Sequence, residues 1–231
     1  MTHAVFFDFY NTLVGFNPPR EEIHAAACRD MGVALSPEAI RSHLPPADEY
    51  YHKESLRLPI SSRSQADQDE FYTRYERMVL QGAGAEVSAG VALAIFRRMR
   101  QHGWRIRLYE DSLPVIRNLK ETGKVVGIVS NVDRDLSPFC QQLGLTGEVD
   151  FVVTSWEVGT GKPHPAIFHC ALERAHTTPD HTVHVGDQYN TDILGARGVG
   201  IKGLLIDRDD NYRDVTDCSR MRTLWDVKDY I

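Results

Sequence analysis

The chain has 231 residues, of which 42% are hydrophobic and 25% charged, enough for one large domain or for a core with a sizeable insertion. This balance excludes a disordered chain, a collagen-like fibre and a coiled-coil rod. A formal net charge of −6 gives no overall electrostatic footprint for nucleic acid or an anionic membrane, and leaves open a local cationic loop that holds an anion.

Taken in chain order, residues 3–8 form a short aromatic-rich apolar run ending at Asp8, which predicts a buried strand. From about residue 16 to residue 104 there is no convincing strand. Helical patterns run instead over 21–31, 37–56, 67–80 and 87–101, separated by Pro and Gly. A helix is predicted over 112–122, with Leu113, Ile116, Leu119 and Lys120 recurring and Gly123 as its stop. Strands follow at 124–129 and 150–154, then a helix over 164–175 carrying Ile167, Phe168, Ala171 and Leu172. A strand at 182–185, a short helix over 191–197 closed by Gly198 and a strand at 203–206 complete the pattern. Strands alternating with helices imply an α/β fold, a Rossmann-like doubly wound parallel sheet covered on both faces. Residues 1–15 plus 105–231 then make the core, and 16–104 an inserted all-α lobe.

Cys28, Cys140, Cys170 and Cys218 form no CxxC pair, and four cysteines in a chain this long fit reduced thiols better than a disulfide framework. No apolar run approaches the ~20 residues of a membrane helix. Asp8 interrupts the first apolar run and no basic segment precedes it, so no signal peptide is expected. The expected address is cytoplasmic.

Ligands of open parallel sheets bind outside the carboxyl ends of the strands, so the residues ending the predicted strands belong together. The first strand ends in Asp8-Phe9-Tyr10-Asn11-Thr12, the next in Ser130-Asn131, and a later one in Gly186-Asp187 with Asp192 five residues on. A loop contributes Gly161-Lys162-Pro163. Two or three carboxylates, one ammonium and one hydroxyl suffice for covalent phosphoryl transfer. A carboxylate attacking an anionic phosphate needs charge compensation. Mg2+ favours carboxylate oxygens and keeps several waters, Lys162 neutralises the rest, and Ser130 with nearby backbone N–H groups can hydrogen-bond the phosphoryl oxygens. A covalent route splits one hard step into two easier ones.

In these motifs the chain resembles the haloacid dehalogenase-like hydrolase superfamily, in the subfamily with a helical cap inserted after the first strand. The resemblance covers essentially the whole chain, with four motifs in order. It implies that Asp8 is the nucleophile, that Thr12 closes the first motif, that Ser130 and Asn131 form the second, Lys162 the third, and Asp187 with Asp192 the acidic pair of the fourth. Asp8, Ser130 and Lys162 are the catalytic candidates, and Thr12, Asn131 and Tyr10 the substrate-binding ones. Mg2+ is expected on Asp8, the Tyr10 carbonyl and Asp187, with Asp192 coordinating directly or through water. A small-molecule substrate and a monomer or homodimer are expected.

One position departs from the family pattern. Its phosphatases usually carry a second aspartate two residues after the nucleophile, as general acid and then base; here that residue is Tyr10. The family's dehalogenases also have tyrosine there, because a halide leaving group needs no proton. A metal-independent 2-haloacid dehalogenase with an aspartyl ester is therefore the alternative, and a weakly active binding or regulatory member a second one. The acidic pair favours the cation, since the dehalogenases dispense with Mg2+, and crowding three carboxylates without one would raise their pKa values.

Each feature also has a structural reading. Asp8 alone could cap a turn, Ser130-Asn131 could open the following helix, and Asp133-Arg134-Asp135 reads as a solvated helix start. Lys162 does not belong to a P-loop, because Trp156 and Pro163 occupy two required positions. The ten histidines, among them His164, His169, His181 and His184, form no zinc-like spacing and read as solvated or structural. Phe16, Asn17, Arg20, Arg41, Tyr50 and Tyr51 are candidates for substrate choice, Arg41 also for a haloacid carboxylate.

Overall fold

A computed structural model describes residues 2–231, the side chain of Leu56 excepted. Strands β1 (Ala4–Phe7) and β2 (Val14–Asn17) lead into helices α1 (Arg20–Asp30), α2 (Pro37–Arg41), α3 (Leu44–Arg57), α4 (Gln65–Gly82) and α5 (Ala89–His102). Strand β3 (Arg105–Leu108) then pairs with β2 in a small two-stranded sheet. The remainder alternates: α6 (Ser112–Glu121), β4 (Val125–Ser130), α7 (Ser137–Gln142), β5 (Phe151–Thr154), α8 (Ser155–Val158), α9 (Pro165–Arg174), β6 (Thr182–Gly186), α10 (Leu194–Gly198), β7 (Lys202–Ile206) and β8 (Ser219–Met221).

The main sheet has six strands in the order β5-β4-β1-β6-β7-β8, and every neighbouring pair is parallel. β1 lies inside it because all four of its residues are apolar and buried, as suits a strand covered on both faces. Ala4 and Phe6 join Val129 and Val153 in packing under α9 through Ile167, Phe168, Ala171 and Leu172. Val5 and Phe7 point to the opposite face by strand alternation. Phe7 is in register with both Ile128 of β4 and Val185 of β6. The chain leaves β1 towards β4 and β5 on one side, and returns to β6 on the other. That reversal marks the crevice where ligands of such sheets bind.

The chain divides into two compact units, one running to Gly15 and again from Arg107 to Ile231, the other spanning Phe16–Ile106. The second unit is built on its own core: Ile23, Ala27 and Cys28 of α1 pack with Leu80 of α4 and Ala92, Ile95, Phe96 and Met99 of α5. Tyr72 stacks on Phe96 with ring centroids 4.0 Å apart. Arg20 grips Asp48 with two nitrogens at 2.7 and 2.8 Å and donates to the Tyr75 hydroxyl at 2.6 Å, which donates in turn to Asp48.

The strands expected at 3–8, 124–129, 150–154, 182–185 and 203–206 are β1, β4, β5, β6 and β7. Other expectations are corrected. The helix expected over 37–56 is two helices, because Pro45 and Pro46 can occupy the first turn of α3 but not the interior of a continuous helix. β2 reaches Asn17, inside the stretch expected to hold no strand, while β3 and the three-residue β8 have no apolar run that would announce them. The helix expected over 191–197 is a π turn, Tyr189–Ile193, followed by α10. Among the described residues no helix is long and apolar enough to cross a membrane.

Burial alone would raise the Asp48 carboxyl, but the Arg20 guanidinium and the Tyr75 hydroxyl outweigh it and hold it below its ordinary value of 3.8. A carboxyl lowered on folding contributes stability that is complete above the ordinary value and lost as pH falls through the folded one. Asp48→Asn is expected to cost about 2 kcal/mol at neutral pH, and to flatten the loss of stability as pH falls below the ordinary carboxyl value of 3.8. Denaturant melts of both proteins across that range check it.

Candidate active site

Three strand ends and one loop meet at the crevice. Asp8 follows β1, its N–H donating to the Val185 carbonyl of β6 at 2.8 Å. The chain then turns tightly: Leu13 and Val14 donate to the Phe9 carbonyl and Asn11 to Val14. Asn11 takes a left-handed conformation, φ 57°, which asparagine tolerates better than most residues, and its Nδ2 donates to Asp187 Oδ2 at 3.1 Å. Ser130 ends β4 and is buried. Gly186 ends β6, and Asp187 follows it.

Lys162 is the hub. Its ammonium is almost fully buried and lies 2.6 Å from Asp8 Oδ1 and 2.6 Å from Asp192 Oδ1. Its backbone is held by Asn131, whose Oδ1 accepts from Lys162 N at 2.7 Å and whose Nδ2 donates to Lys162 O at 2.8 Å. Gly161 leaves room for that amide, since a Cβ there would lie 2.4 Å from Asn131 Oδ1. Asn131 therefore positions Lys162 and opens no helix. α7 begins only at Ser137, where Asp135 caps the Ser137 N–H.

Asp192 is pinned from three directions: Oδ1 accepts from Lys162 and from His184 Nε2 at 2.9 Å, and Oδ2 accepts from the Gln188 N–H at 3.0 Å. The π turn that carries it folds the side chain back under the end of β6. A Cβ on Gly186 would lie 2.1 Å from Asp192 Cγ, so only glycine fits there.

Two carboxylates compete for one ammonium, and the outcome follows from their other partners. Burial alone would raise Asp192, but Lys162 and His184 outweigh it and hold it well below the carboxylate range. Asp8 has no such second partner, and burial pushes its carboxyl up despite the pull of Lys162. Lys162 is raised, its burial being outweighed by Asp192 and Asp8. Burial drives His184 down, favouring the neutral ring. The Tyr10 phenol is pushed up by burial and by Asp8, with Arg134 pulling back, so it keeps its proton near neutrality and is no base.

Asp8, Asp187 and Asp192 each offer one oxygen within 4.8 Å of the others. This all-oxygen donor set fits a hard divalent cation. Asp187 is half-buried, on the side that water reaches. Both Asp192 oxygens accept hydrogen bonds, Asp8 Oδ1 accepts from Lys162 and Asp187 Oδ2 from Asn11.

The structure thus brings together Asp8, Ser130, Asn131, Lys162, Asp187 and Asp192. Thr12 is buried in the turn after Asp8, and its Oγ1 has no hydrogen-bond partner among the described residues. Tyr10 packs edge-on against Phe9 at 5.1 Å. Two contributors were not foreseen, Asn11 and His184. A histidine inside a buried strand needs a partner, and that was the available signal. His164 and His181 are local, the first accepting from Ala166 N and the second contacting Thr178. Of the residues considered for substrate choice, Asn17 is exposed at the end of β2, and the other five make contacts with residues of the helical unit. Arg41 pairs with Glu21, Tyr50 stacks on Phe71 at 5.2 Å with Tyr51 edge-on to the same ring, and Arg20 lies over Phe16.

A doubly wound α/β core with an acid–lysine centre at its switch point defines the class of protein, and comparison with known proteins narrows it. The family model of haloacid dehalogenase-like hydrolase matches residues 2–200. Haloacid dehalogenase-like hydrolase domain-containing protein 3 of Danio rerio is 30% identical over 90% of this chain and 86% of its own. Glyceraldehyde 3-phosphate phosphatase of Methanothermobacter thermautotrophicus is 30% identical over 89% and 86%. Among solved structures, the L-2-haloacid dehalogenase RSc1362 superposes with a TM-score of 0.66 at 19% identity, covering 99% of this chain and 98% of that one, a likeness of fold. The chain belongs to the haloacid dehalogenase-like hydrolase family. It is a hydrolase.

Asn131→Ala removes both bonds to the Lys162 backbone. A loss of about 1–3 kcal/mol is expected, read as a lower urea midpoint at unchanged slope.

Proposed function

We propose that this hydrolase is a Mg2+-dependent phosphatase of small phosphorylated metabolites, working through an aspartyl-phosphate on Asp8. The observation that carries the reading is the buried Asp8–Lys162–Asp192 cluster with Asp187 beside it. Relatives named as phosphatases support it. Mg2+, held by Asp8, Asp187 and the Tyr10 carbonyl, with Asp192 in support, would neutralise charge on the phosphoryl oxygens.

With Oδ1 of Asp8 held by Lys162, Oδ2 attacks phosphorus and the P–O bond to the leaving group breaks. Lys162 stays beside Asp8, where its charge offsets the repulsion between the anionic carboxylate and the anionic phosphoryl group. The Ser130 hydroxyl and the Thr12 hydroxyl, which lacks an internal partner, are available to the phosphoryl oxygens. Water then attacks the phosphorus of the acyl phosphate, releasing phosphate and restoring the Asp8 carboxylate. Tyr10 stands where a proton donor would, and its raised pKa keeps it from serving as base. Leaving groups that need no proton, aryl and acyl phosphates, are therefore the better substrates. A cytosolic address rests on the four free cysteines.

The second reading, a metal-independent 2-haloacid dehalogenase, is favoured by Tyr10 alone and leaves Asp187 without a task. The two are separated by assaying phosphate release from p-nitrophenyl phosphate and chloride release from 2-chloropropionate, each with and without EDTA. Phosphate release abolished by EDTA and by Asp8→Asn is expected; chloride release indifferent to EDTA overturns the phosphatase. Tyr10→Asp supplies the absent acid–base group, a contribution of ~10²–10⁴-fold in enzymes that have it. It is expected to raise turnover of alkyl phosphates by at least about tenfold and of aryl phosphates far less.

A further inference from the structure

We propose that His184 is a positioning residue: its Nε2–H fixes Asp192, and through Asp192 it fixes the Lys162 ammonium against Asp8. This deepens the phosphatase reading and rests on it for its kinetic consequence.

His184 lies in β6, where all five residues are buried. A valine or isoleucine would suit such a position, so the imidazole must answer to something polar. Its Nε2 is 2.9 Å from Asp192 Oδ1. An ionised carboxylate only accepts, so Nε2 carries the hydrogen. The other nitrogen, Nδ1, is buried with no partner among the described residues. A ring protonated on both nitrogens would bury an unpaired N–H at a cost that a bare acceptor lone pair avoids. Phe168 holds the ring edge-on, centroids 5.3 Å apart at 86°. The ring thus presents one donor in one orientation.

The oxygen it reaches is the one that also accepts from Lys162. Without Nε2–H, Asp192 keeps only the Gln188 N–H on Oδ2 and the ammonium on Oδ1. The carboxylate can then rotate, and the ammonium follows it away from Asp8 Oδ1. A displaced ammonium harms the charge-developing transition state more than substrate binding, so the effect falls on kcat and spares KM. Partners that orient site ligands are typically worth ~10–100-fold in activity.

The side-chain amide of glutamine can put an N–H where Nε2 stands, whereas the shorter asparagine reaches only the Nδ1 position. The experiment compares wild type with His184→Gln, His184→Asn and His184→Phe, all first checked for folding by circular dichroism and thermal melting. Steady-state kinetics use p-nitrophenyl phosphate with saturating Mg2+, and the Lys162 Nζ–H signals are followed by nitrogen-15 NMR in metal-free protein. Expected are a kcat for His184→Gln within about threefold of wild type, and a fall of about 10–100-fold for His184→Asn and His184→Phe at unchanged KM. The protected Lys162 Nζ–H signal should persist in wild type and His184→Gln and vanish in the other two. Equal kcat and equal signals in the glutamine and asparagine variants overturn the proposal, as does a phenylalanine variant that behaves as wild type. Should wild type release no phosphate, the phosphatase reading fails, while the Lys162 signal in metal-free protein still decides whether His184 positions it.

Discussion

One buried ammonium organises the site. Lys162 is inserted between two carboxylates, each 2.6 Å away, in a region where isolated charges would be too costly to keep. Asp8, Asp192 and Asp187 carry three negative charges against the single positive one, leaving an excess of two. Asp192 resolves its share through hydrogen bonds from His184 and Gln188. Asp8 is held by Lys162 and Asp187 accepts from Asn11. Burial keeps the Asp8 carboxyl above its ordinary value, while Lys162 and His184 outweigh burial and hold Asp192 below its own, so the two acids at one lysine are not equivalent.

The scaffold around that ammonium is mostly backbone and small side chains. Asn131 ties down the main chain of Lys162, and Gly161 and Gly186 are glycines because the Asn131 amide and the Asp192 carboxylate fill the space their Cβ atoms would take. The π turn at Tyr189–Ile193 belongs to the same economy of space, a turn of the kind often found where a side chain must be re-aimed at a functional site.

Much of this was legible in the sequence, for physical reasons that differ from element to element. β1, β4, β5, β6 and β7 are mostly buried and carry short apolar stretches that announce them. β3 alternates Arg and aliphatic residues and β8 is Ser-Arg-Met, sequences whose strand pairing comes from neighbours and not from their own hydrophobicity. Asp8, Lys162 and Asp192 were readable because strand ends of a parallel sheet converge on one rim. Asn131 was read as a binder or a cap, yet it holds Lys162, since spacing along the chain cannot reveal a contact made across 31 residues. Asn11 was hidden by its ordinary composition, its role resting on a left-handed backbone. His184 was masked by the abundance of histidine elsewhere in the chain.

The position of β1 also has a consequence for how the chain is made. Ala4 pairs with Val125 on one side and Thr182 on the other, so β1 is flanked by strands made much later than itself. The helical unit, continuous in sequence from Phe16 to Ile106, is complete before either flanking strand exists. Its insertion adds little to the entropy of closing the sheet, because that cost grows only with the logarithm of loop length. It does impose an interval in which Ala4–Phe7 has no sheet to enter. Vectorial synthesis therefore leaves this chain's most apolar strand waiting longest for its partners, a nascent-chain vulnerability of the sort that chaperones shield.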